Sequence, residues 1–171
     1  MVEFLRFFPN LETMDLEIDP SFDYEARLGQ GDVVNLKLLS SLKSLSLQVS
    51  ALLARTDPLP WLLAFLSSAS PDNALEVLSL TCVIDKPPPS LTIQAFDNTL
   101  MGWRSLDELL TRPSFGHLQR FRLDFSLDNP IGDDSPRQIA DEFTKQLQSL
   151  SKKGVLEVDA CEGGGNGLRV S

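Results

Sequence analysis

The 171-residue sequence predicts an α/β fold: an open solenoid in which a one-sided, curved parallel sheet of about five strands is backed by helices. Three observations predict it. A phrase of apolar residues recurs along the chain, apolar and polar residues alternate inside each copy, and helical stretches stand just before strands.

The phrase places apolar residues at positions 1, 4, 6 and 8. Its four copies are Leu11, Met14, Leu16, Ile18; Leu42, Leu45, Leu47, Val49; Leu75, Leu78, Leu80, Cys82; and Leu118, Phe121, Leu123, Phe125. Their starts are 31, 33 and 43 residues apart, and a weaker fifth copy is Leu156, Val158, Ala160. From position 4 onward the period is two, so each copy is a strand with one apolar and one polar face.

Taken in chain order, residues 1–8 read as the end of a helix with Phe4, Leu5 and Phe8 on one side, and the first strand follows. After the second strand, Asp57-Pro58 opens a helix around Trp61, Leu62, Phe65 and Leu66 that runs into Ser67-Ser68-Ala69-Ser70-Pro71. Lys86-Pro87-Pro88-Pro89-Ser90 then begins the longest connection as a stiff, extended segment. Ser105-Leu106-Asp107-Glu108 has the form of a capping box, and Pro113 stops the helix it opens within two turns. Ser135-Pro136-Arg137-Gln138 is another, with proline at the first helical position; Ile139, Phe143, Leu147 and Leu150 then share one face before Gly154 ends the helix. The repeats occupy residues 1–160, and residues 161–171, with Gly163, Gly164 and Gly165, read as a flexible tail.

Helix, short link and strand in constant order require parallel strands joined by right-handed crossovers. A sheet covered on both faces has nearly continuous apolar strands. These strands alternate instead, as in Leu45-Ser46-Leu47-Gln48-Val49, so one face is expected to meet water.

The strand phrase resembles the L-x-x-L-x-L signature of the leucine-rich-repeat family. More narrowly, Phe7-Phe8-Pro9-Asn10-Leu11-Glu12-Thr13-Met14-Asp15-Leu16, Pro113 to Leu123, and Gly154-Val155-Leu156-Glu157-Val158 resemble the repeat half of fungal, basidiomycete-type F-box and F-box-like proteins. Standard repeats carry asparagine or cysteine three residues after the third leucine; here Asp19, Ser50, Val83 and Ser126 stand there, which marks an irregular subfamily. The resemblance implies that the repeats hold the substrate of a ubiquitin ligase whose adaptor docks on an F-box. No F-box-like segment is found in these residues, so the array is expected to begin upstream of residue 1.

Composition narrows the partners. Acidic residues number 24 against 15 basic ones, a net charge of -9, which argues against nucleic acid and anionic membranes and in favour of a protein partner. The N-terminus lacks the features of a signal peptide, and the longest apolar run, Leu59 to Leu66 broken by Pro60, is far short of the ~20 residues of a membrane span. An intracellular protein, cytoplasmic or nuclear, is expected.

The candidate site is the polar strand face: Asp15 and Glu17, Ser46 and Gln48, Ser79 and Thr81, Arg122 and Asp124. It has an acidic edge near the first strand and a mixed Arg/Asp edge near the fourth. No catalytic group, metal or cofactor is expected. His117 is the only histidine and lies in a loop beside no nucleophile motif; Cys82 has core parity, Cys161 falls in the tail, and neither has metal-ligand spacing. Asp107-Glu108 and Asp133-Asp134 read as capping and helix-dipole residues, and Trp61 and Trp103 as core residues of the helix layer. Gly163 to Gly167 has no following helix or lysine to complete a phosphate site. Two other functions stay open: a repeat scaffold unrelated to ubiquitin, and a small hydrolase-like or nucleotide-binding α/β enzyme.

Overall fold

A computed structural model describes residues 10–18, 36–50, 59–84, 97–127 and 136–162. The expectations placed on Phe4 to Phe8, Asp57-Pro58, the three prolines, Asp133-Asp134, Ser135 and the glycine-rich end lie outside these residues. Five strands form one sheet in sequential order: β1 (Thr13–Ile18), β2 (Ser44–Ser50), β3 (Val77–Ile84), β4 (Arg120–Leu127) and β5 (Leu156–Glu162). All four pairings are parallel and the sheet is not closed.

The register keeps the repeat phrase in phase. Met14, Leu45, Leu78, Phe121 and Leu156 stand side by side, and so do Leu16, Leu47, Leu80, Leu123 and Val158. A slip of one residue would turn every apolar side chain to the opposite face, so burial of that face fixes the register. Strand entry repeats as well: the carbonyl of Glu12 accepts from the N–H of Lys43 and Ser44, that of Lys43 from Glu76 and Val77, and that of Glu76 from Gln119 and Arg120. Position 2 of each of the first three copies thus hands its carbonyl to the next copy.

Among the described residues four α-helices back the sheet: α1 (Leu59–Ser67), α2 (Asp97–Leu110), α3 (Pro136–Gln146) and α4 (Gln148–Lys153). They bury Trp61, Phe65, Leu66, Trp103, Leu106, Leu110, Phe143 and Leu150 in one core with the apolar strand residues. Leu45, Leu47, Phe121 and Leu123 are fully buried, and each such side chain contributes roughly 1.5–3 kcal/mol by leaving water. Trp103 packs edge-on against Phe143, which lies over Phe125, so one aromatic cluster ties α2, α3 and β4 together. Trp61 stacks on Phe65 within α1. Both tryptophans occupy the helix layer.

Three elements differ from the sequence reading. First, α2 begins at Asp97, eight residues before Ser105, so the Ser105-Leu106-Asp107-Glu108 box is helix interior. The Asp107 carboxylate is buried in the second half of that helix and accepts hydrogen bonds from the N–H of Ser149 (3.0 Å) and Leu150 (2.9 Å). It therefore caps α4, whose Ser149 and Leu150 lie 42 and 43 residues on, and not its own helix. Second, the expected single helix up to Gly154 is interrupted at Leu147, where α3 gives way to α4. In an unbroken helix the Ser149 and Leu150 N–H groups would bond to Lys145 and Gln146 carbonyls; Asp107 takes them instead. Gly154, with φ at 71°, closes α4 by directing its N–H to the Leu150 and Ser151 carbonyls. Third, β5 runs to Glu162, so Cys161 and Glu162 pair with Ser126 and Leu127 of β4, two residues beyond the point at which the sequence ends the repeats.

Among the described residues Asn73 is the other buried polar one. Its side chain accepts from the Leu75 N–H at 3.0 Å and donates to the carbonyls of Ser70 and Ser114. It thereby shapes the entry to β3 and fastens that entry to the turn before β4. Among the described residues no helix is long and apolar enough to cross a membrane.

Candidate functional site

Alternation puts the polar residues that interleave with the apolar phrase on the face away from the helices. Strand pairing then arranges them in rows. One row is Asp15, Ser46, Ser79, Arg122 and Glu157; the next is Glu17, Gln48, Thr81, Asp124 and Asp159. All eight residues expected from the sequence lie in these rows, each exposed or half-buried. The structure brings them together on one continuous surface.

The sequence reading omitted Glu157 and Asp159, which extend both rows onto β5. The signal for them was present. In the fifth copy they alternate with Leu156, Val158 and Ala160 as Arg122 and Asp124 alternate with Phe121, Leu123 and Phe125. Arg120 was also missed; it precedes Phe121 on β4 and has the parity of the polar face. The fourth strand is therefore not the edge of this surface, and the acidic Glu157 and Asp159 of β5 lie beyond it.

The charges are unevenly paired. The Arg122 Nε donates to both carboxylate oxygens of Asp124, at 2.9 and 2.8 Å, and Arg120 pairs with Glu157 at 3.0 Å. The hydrogen bond to Asp124, then its charge, and then the charges of Asp159 and Glu157, hold the Arg122 guanidinium above its ordinary pKa. The face has five carboxylates, and Arg120 and Arg122 occupy two of them. Asp15 and Glu17 at one end and Asp159 at the other make no ion pair among the described residues. Between those ends lie Ser46, Gln48, Ser79 and Thr81, a neutral floor of hydroxyls and one amide that both donate and accept.

A second charged line runs along the strand entries. Lys43 bonds to Glu12 at 3.0 Å, and its ammonium is held above its ordinary pKa by that hydrogen bond, by the Glu12 charge and by Glu76. Both partners are well exposed, so this line is a surface tie of small energetic weight.

The remaining candidates are placed apart from the face. His117 is exposed in the turn before β4. Cys82 is buried among apolar neighbours, and burial, helped by the Asp124 charge, pushes its thiol up to about 12. A narrow apolar pocket lined by Leu36, Leu39, Leu42, Asn73, Leu75 and Phe115 lies under the strand entries and admits roughly one water-sized body. Among the described residues no cluster of three or more histidine, cysteine or acidic side chains is arranged to hold a metal. No family model, curated protein or solved structure matches the chain.

Proposed function

We propose that this chain is a leucine-rich-repeat-like solenoid that binds another protein on its open strand face, in the manner of the substrate-holding half of an F-box-like ubiquitin-ligase receptor. The observation that carries the reading is the pair of polar rows: ten side chains from five consecutive strands, in register and unburied, on a sheet whose other face is packed. A parallel sheet open on one side is unusual, because crossover helices normally cover both faces. A partner seated there would meet a rigid floor whose side chains are spaced by the strands, so recognition would be by shape and hydrogen bonds. Any ubiquitin transfer would belong to other subunits, and the link to ubiquitin rests on the sequence resemblance alone.

The test is capture of partners by the full-length protein and by its Thr81→Arg and Ser46→Arg variants, each of which places a long cation in the middle of the face. Loss of one specific partner by both variants, with the far-UV spectrum and melting temperature unchanged, is the expected result. A partner retained by both variants would overturn the reading. Co-purification of the ligase adaptor with the full-length gene product tests the ubiquitin link separately.

A further inference from the structure

Building on the protein-binding reading, we infer that the face selects a basic, extended segment that crosses the strands along the row Glu17, Gln48, Thr81, Asp124, Asp159. The argument is one of charge and spacing. That row contains three carboxylates and no cation. Asp124 has both oxygens engaged by Arg122, so the carboxylates left for a partner are Glu17 at the β1 end, with Asp15 beside it, and Asp159 at the β5 end. Gln48 and Thr81 between them are uncharged and offer donors and acceptors to a polypeptide backbone. An acidic segment would meet carboxylates without an ion-pair partner at both ends, and an apolar one would strip water from both ends without replacing it.

Spacing sharpens the chemistry. Four interstrand steps of about 4.8 Å separate Glu17 from Asp159, roughly 19 Å in all. An extended chain advances about 3.3 Å per residue, so two cationic side chains about six positions apart would reach the two ends with a neutral stretch over Gln48 and Thr81. Cations two residues apart would both fall at one end. The surface thus discriminates by the interval between charges as well as by their sign.

An NMR titration of the isotope-labelled full chain tests this. The probes are twelve-residue glycine-serine peptides bearing two lysines six positions apart, two lysines two apart, two glutamates six apart, or two glutamines six apart. The wide lysine peptide is expected to shift the amides of Glu17, Gln48, Thr81 and Asp159, to bind more weakly as salt rises, and to bind the Glu17→Gln/Asp159→Asn double variant about threefold to tenfold more weakly. Equal binding of the glutamine and wide lysine peptides would overturn the charge inference. It would leave the protein-binding reading to stand or fall on the Thr81→Arg capture. Equal binding of both lysine spacings would overturn the crossing geometry, and shifts confined to helix amides would overturn the site itself.

Discussion

At the scale of single residues, two buried titratable groups among the described residues, Asp107 and Cys82, have opposite parts in the structure. Asp107 is held by two backbone N–H groups of another helix, so its removal strands two donors. Asp107→Ala is expected to lower stability by about 1–3 kcal/mol in urea denaturation, whereas Glu108→Ala, its exposed neighbour, stays within about 0.5 kcal/mol. Equal effects would show that the capping contact does not hold. Cys82 makes no side-chain hydrogen bond among the described residues, and its thiol is pushed up to about 12 from an ordinary value near 9. Above pH 9 the unfolded chain therefore releases this proton while the native chain retains it. The native state binds more protons there, and stability falls with rising pH by at most about 1.4 kcal/mol per unit until the native thiol also ionises. Lys43 contributes in the same direction, since its raised ammonium stabilises the fold below its unfolded pKa and ceases to as pH rises through the folded one. Comparing the pH 8 to 10.5 slopes of wild type and Cys82→Ala isolates the thiol; the variant should have the shallower slope, and parallel slopes would show that Cys82 is not insulated from solvent.

At the scale of elements, the contact between α1 and α2 depends on a residue without a side chain. A Cβ at Gly102 would stand 2.8 Å from Leu59 Cδ1 and 3.3 Å from its Cβ. Alanine in a helix interior is ordinarily favoured over glycine by about 1 kcal/mol, so the close approach opposes the intrinsic preference. Gly102→Ala is therefore expected to be more favourable by about 0.5–2 kcal/mol in a Leu59→Ala background than in wild type, a coupling that a double-mutant cycle in urea measures directly. Additive effects would mean that the helices do not meet at this point. The same helix shows what the sequence hides. The strands were legible because period-two alternation is a local pattern repeated four times, and all eight face residues follow from it. The start of α2 was not, because Ser105-Leu106-Asp107-Glu108 has a start signal of its own. The cap on α4 was illegible for a related reason: Asp107 and Leu150 lie 43 residues apart, and no local period joins them. Likewise Glu157 and Asp159 follow a phrase weakened by Val158 and Ala160, which are smaller than the residues at the same positions of β4.

At the scale of the whole molecule, sequential parallel pairing makes each strand depend mainly on its neighbours, and in the proposed solenoid stability would be close to a sum of unit and interface terms. The burial pattern is graded accordingly. The core positions of β2, β3 and β4, among them Leu45, Leu47, Leu78, Leu80, Phe121 and Leu123, are almost wholly excluded from solvent, while Leu16 of β1 and Leu156 and Val158 of β5 are only half-buried. Among the described residues β1 and β5 each pair with one strand where an inner strand pairs with two, so their apolar residues are covered from one side fewer. Opening should begin at the ends and reach β3 last. Two measurements check this. Amide hydrogen exchange should give β3 protection near the global unfolding free energy and β5 a lower value. Leu80→Ala should cost about 2–5 kcal/mol with a cavity at the centre of the sheet, while Val158→Ala, which removes less and already half-exposed surface, should cost about 1 kcal/mol. Uniform protection across all five strands, or a Val158→Ala penalty as large as that of Leu80→Ala, would show instead that the sheet melts as one unit and that β5 is as firmly anchored as its centre. That distinction bears on binding, because Asp159, one of the two charged ends of the crossing row, stands on β5: a segment that ties β1 to β5 would raise the protection of β5 amides more than those of β3.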